Sequence, residues 1–138
     1  VTKKAESPQR IDLDDVEDLM EADVPIKHPS TGAVVGTIRL MGPENPVRRR
    51  LMFARIDRMN ADAIAGVHPS AAESFDLLSD DLADITAGWD FTKGGQPLPF
   101  SRQAAAELYS DPKRGWIRAQ VVAARDNRER FIGTSANG

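Results

Sequence analysis

The chain has 138 residues, 28% of them charged and 41% hydrophobic, with a net charge of −3. That length suits one domain with its own core, and the absence of cysteine excludes disulfides and thiolate zinc sites. No apolar run approaches the roughly 18 residues a membrane-spanning helix needs, and the acidic balance argues against a nucleic-acid-binding domain.

The first ten residues are polar and basic, with Lys3, Lys4 and Arg10 around Pro8, and read as a loose arm. Val1-Thr2-Lys3-Lys4 leads into no apolar stretch, so no signal peptide is expected. From Asp12 to Asp23 the chain turns acidic, and Val16, Leu19 and Met20 are spaced for one short amphipathic helix. Residues 1–23 are therefore expected to form a polar and acidic arm ahead of a globular domain over 24–131.

Pro29-Ser30-Thr31-Gly32 is a turn signal. After it Val34, Gly36, Ile38 and Leu40 alternate with Val35, Thr37 and Arg39, the period of a half-buried strand. This predicts a β-hairpin with Pro25 on its edge arm. A free hairpin edge also offers a route to a homo-oligomeric ring by strand pairing.

Asn45-Pro46 is a helix start, with Asn45 as cap and Pro46 as first residue. Met52, Ile56, Met59 and Ala63 then recur on one face of a long helix, Arg48, Arg49, Arg50, Arg55 and Arg58 crowd its other positions, and Gly66 ends it. Ser70 and Glu73 form a capping box. The following helix carries Phe75, Leu78, Leu82, Ile85 and Trp89 in a near-heptad stripe, with acidic Glu73, Asp76, Asp80, Asp81 and Asp84 around it. A basic helix joined to an acidic one by a short loop predicts an antiparallel pair. Gly88 to Phe100 reads as a loop around Gly94-Gly95. Ser101 caps a short helix through Tyr109, and a last helix runs from Arg114 to Arg130, with Phe131 packing back on the core. Residues 132–138 are expected to be a flexible tail. The fold expected is α+β, mostly α: the N-terminal hairpin packed on a bundle of about four helices.

No catalytic constellation emerges. His28 and His68 each neighbour a proline and lack a second ligand at helical spacing. The acidic run lacks the central Gly and closing Glu of a calcium loop. No serine sits in a nucleophile elbow, and Asp80 and Asp81 point about 100° apart on a helix. Neither catalytic residues, a cofactor nor a metal is expected, so the chemistry points to protein binding. Arg48-Arg49-Arg50 is the strongest nucleic-acid candidate, but it has no aromatic platform beside it. It reads better as a solvated face or a contact for an acidic protein. Trp89 and Trp116 read as core residues before interface anchors.

The second half resembles a known family. Gly88-Trp89 is followed by a Gly-Gly loop and by Pro97-Leu98-Pro99-Phe100-Ser101. A short helix ending Leu108-Tyr109, the step Trp116-Ile117-Arg118 and a closing Arg130-Phe131 complete the pattern. With the hairpin around Pro29–Gly32 and the long helix after it, residues 24–131 resemble the tail assembly chaperones of long-tailed bacteriophages. Those proteins often carry an Asp-Ser pair where this chain has Glu44-Asn45-Pro46. The resemblance implies a non-enzymatic role in the host cytoplasm. The implied partners are the tape measure protein, which such chaperones keep soluble, and the tail tube protein, whose assembly around it they assist. The alternative is a structural virion component, a small tail or head–tail connector protein.

Overall fold

The computed structural model describes residues 10–134. Strand β1 (Val16–Asp18) is followed by β2 (Glu21–Lys27) and β3 (Val34–Met41), then helices α1 (Pro46–Ile64) and α2 (Ala71–Asp84). Strands β4 (Thr86–Lys93) and β5 (Gln96–Pro97), helices α3 (Arg102–Ser110) and α4 (Gly115–Asp126), and strand β6 (Ile132–Thr134) complete the described chain.

The four-stranded antiparallel sheet runs β2-β3-β4-β5, and β1 pairs with β6 in a separate antiparallel ribbon. The expected single hairpin on a helical bundle is therefore corrected: the strands build two sheets, and the larger one forms one layer of the core. The hairpin does turn at 28–33, with Gly32 at φ 73°. His28 Nδ1 holds the turn by accepting from the N–H groups of Ser30 and Thr31 at 3.1 and 3.2 Å. Beyond that hairpin, β4 aligns Ile38 with Trp89 and Gly36 with Phe91. Gly36 is required at this crossing, because a Cβ there would meet the Asp90 carbonyl and the Phe91 ring.

One face of the sheet contributes Val24, Ile26, Ile38 and Leu40 to the core, and α2, α3 and α4 cover it with Leu82, Tyr109 and Val121. Burying each large aliphatic here is worth about 1.5–3 kcal/mol. A buried polar pair is matched: Thr86 Oγ1 donates to the Leu82 carbonyl at 2.7 Å and lies 2.8 Å from the Tyr109 hydroxyl. Since the single proton of Thr86 goes to Leu82, Tyr109 is the donor to Thr86.

The helix starts follow their caps. Val47 N donates to the Asn45 side chain, Ser70 and Glu73 bond reciprocally, and Ala104 N donates to Ser101 Oγ. Other expectations fail. Asp12–Asp23 forms no helix; after a 3-10 turn it enters β1 and β2. The expected domain boundary at 23/24 thus falls inside β2. The tail expected from 132 begins instead as β6, with Ile132 opposite Asp18 and Gly133 opposite Glu17. Most of the N-terminal arm (residues 1–9) and the remainder of the tail lie outside the described residues. The last helix ends at Asp126, before a 3-10 turn over Arg128–Phe131.

The helical pair α1–α2 is inserted between two neighbouring strands, β3 and β4. Helix α2 returns to the core through Ser79, Leu82 and Ala83. Helix α1 buries no residue.

Candidate functional site

Helix α1 is anchored at its first turn and then leaves the molecule. Asn45 Nδ2 donates to the Met20 carbonyl at 3.0 Å. Arg48 donates to the Met41 carbonyl at 2.8 Å and to the Arg125 carbonyl at 3.1 Å, with its guanidinium 5.7 Å from the centre of the Phe131 ring. The Arg125 carbonyl lies in the last turn of α4, where the helix dipole favours a cation. Burial, and then the neighbouring Arg125, lower the Arg48 pKa from its ordinary value. Arg49 pairs with Glu44, which also receives Arg128 at 3.3 Å.

Past this anchor the helix displays its apolar residues to solvent. Phe53 is 54% exposed, Met59 57% and Ile64 90%, and Met52 and Ile56 are close to half exposed. At 100° per residue, Met52, Ile56, Met59 and Ala63 form one stripe, with Phe53 at its outer border. Leu51 and Asp62, the half-buried positions past the anchor, lie roughly 90° around the helix from that stripe.

That second side faces α2 across a cleft. Arg55 Nη1 sits 2.6 Å from Asp81 Oδ2 and divides the cleft in two. Oδ2 is buried, and Arg55 is its ionic partner. Burial raises the Asp81 carboxyl above the ordinary carboxylate value and outweighs the pull of Arg55. One half of the cleft, about 270 Å³, is lined by Leu51, Met52 and Ile85. The other, about 320 Å³, is lined by Met59, Val67 and Leu77. Phe75, farther out on α2, lies under the Arg118 guanidinium at 3.7 Å.

The residues singled out in the sequence separate in space. Of the arginine cluster, Arg48 is a structural clamp, Arg49 and Arg55 are ion-paired, and Arg50 and Arg58 have no ion-pair partner among the described residues. Trp89 donates from Nε1 to the Leu98 carbonyl at 2.9 Å and meets Phe91 and Phe100 edge-on; Trp116 is half-buried against the core. His28 and His68 are exposed and far apart in sequence, and among the described residues no group of three or more His, Asp or Glu could hold a metal. Among the described residues no helix is long and apolar enough to cross a membrane.

The outer edge of the hairpin, the expected route to a ring, is occupied in part. Between Asp23 and Lys27 several outward backbone groups of β2 are unavailable to a further strand. Pro25 has no N–H, and the Asp23 carbonyl accepts from Arg130 at 3.4 Å. The Gln120 carboxamide takes both groups of Lys27, at 2.9 and 2.8 Å. Gln120 thus stands in for a neighbouring strand.

The sequence pattern identified the stripe on α1 but not that it lacks a cover. One signal was available: the stripe uses Met, Ile and Ala without Leu, and methionine suits surfaces that adapt to a partner. No family model, curated protein or solved structure matches this chain.

Proposed function

We propose that this protein is a non-enzymatic assembly chaperone. Its client is a long helical protein with exposed apolar surface, and the family resemblance of residues 24–131 makes that client a phage tape measure protein, with the tail tube protein assembling around it in the host cytoplasm. The observation that carries the reading is α1: a 19-residue helix with no buried residue and an apolar stripe beside an open cleft. Apolar surface held in water is costly, at about 25 cal/mol per Å², and a contiguous patch of it marks an interaction site. Its shape suits a helix laid along a groove.

The test is co-expression with the tape measure protein followed by affinity purification. The expected result is a soluble complex, lost on Ile56→Asp while the fold is retained. A tape measure protein that still aggregates, with nothing co-purifying, refutes the reading. Stoichiometric recovery of the chain from purified virions would instead favour a structural tail component.

A further inference from the structure

We propose that, with no client bound, α1 pairs antiparallel with α1 of a second copy, in the register that sets Met52 opposite Ala63 and Ile56 opposite Met59. The inference shares a face with the proposed client site, but it is read from α1 alone and stands whatever the client is.

The stripe residues are separated by four, three and four positions, the alternation that keeps one seam facing another helix. A twofold interface demands that every contact be reciprocal. In this register each seam residue meets a seam residue, with Met against Ala at the two ends and Ile against Met at the centre. The charges select the same arrangement. Arg55 and Asp62 border the seam on the side nearest α2, seven positions apart. Antiparallel pairing brings Arg55 of each copy against Asp62 of the other, so the contact occurs twice. Parallel pairing sets Ala63 against Ala63 and leaves Arg55 with no carboxylate from the second copy. The guanidinium has donors enough to keep Asp81 as well.

The size of the seam fixes the kind of contact. Met52, Phe53, Ile56 and Met59 are each about half exposed, and covering them removes on the order of 800 Å² over two copies, below the roughly 1,200 Å² of a stable interface. The pair is therefore weak and concentration-dependent, and a client helix with a longer apolar stripe displaces it. It masks the stripe while the chaperone waits.

The chain has no cysteine, so single introduced thiols report the register. Sedimentation over a range of concentrations should show a monomer–dimer equilibrium, weakened at least tenfold by Ile56→Asp, an exposed position whose change leaves circular dichroism unaltered. Mixing Met52→Cys with Ala63→Cys under mild oxidation should give the crosslinked heterodimer. Met52→Cys alone should not crosslink, because its two copies lie roughly 16 Å apart along the helices. Crosslinking of Met52→Cys with itself, a monomer at every concentration, or a dimer indifferent to Ile56→Asp overturns the pairing. A strict monomer that still captures client refutes the pairing alone; a dimer that captures none refutes the client reading alone.

Discussion

Tyr109 is the only tyrosine of the chain and is fully buried between α3 and β4, which makes its titration a direct probe of the core. Burial raises its hydroxyl from 10.0 to about 12. The folded state therefore holds this proton more tightly than the unfolded chain does. The associated stability is fully present below about pH 10 and is lost as pH rises toward about 12, a total of about 2–3 kcal/mol. At neutral pH Tyr109→Phe removes one net hydrogen bond, costing about 1 kcal/mol, and leaves Thr86 still donating to Leu82. The variant lacks the alkaline decline, so its urea-unfolding free energy should cross that of the parent near about pH 11. Phenolate absorbance of the parent should rise only as the protein unfolds. Thr86→Val should cost more, about 1–3 kcal/mol, because it strands the Tyr109 hydroxyl without a partner. Parallel pH–stability curves for the parent and Tyr109→Phe would refute the account of this site.

Arg48→Ala should cost about 2–3 kcal/mol through two lost charge-assisted bonds. Hydrogen exchange should then locate the damage in the first turns of α1, with the sheet still protected. Gln120→Ala should cost about 1 kcal/mol and, by freeing the backbone of Lys27, raise the aggregation rate seen by light scattering. Asp81→Asn should leave urea stability at pH 7 unchanged or raise it by up to about 1 kcal/mol. Its ionised carboxylate is disfavoured by burial, so this group's contribution improves as pH falls through the raised carboxyl pKa; a large loss on substitution would contradict that sign.

The parts of the fold written in local chemistry could be read from the sequence: the caps at Asn45, Ser70 and Ser101, and the alternation of β3. Strand β4 was not, because Ile85 and Trp89 satisfy two periods at once. They extend the heptad stripe of Phe75, Leu78 and Leu82, and with Ala87 and Phe91 they also alternate by two. The decision lies in the pairing of Trp89 with Ile38 and of Phe91 with Gly36 across the sheet, a long-range term that local propensity does not contain. The acidic segment failed for the same reason: β1 exists because β6 pairs with it, over a hundred residues later. As for the site, the stripe on α1 was visible as a helical face. That it faces solvent depends on α2, α3 and α4 having already covered the sheet.

The β1–β6 ribbon sets how the molecule answers tension. Val16 lies opposite Thr134, Glu17 opposite Gly133 and Asp18 opposite Ile132. A pull transmitted through the chain on both sides of the described residues meets this ribbon at its open end. Its hydrogen bonds then break one after another, as in a zipper, and not together as in shear. The ribbon yields at low force, while the four-stranded sheet and the base of α1 stay unloaded. Under such a pull slack is released here first, and α1 keeps its place.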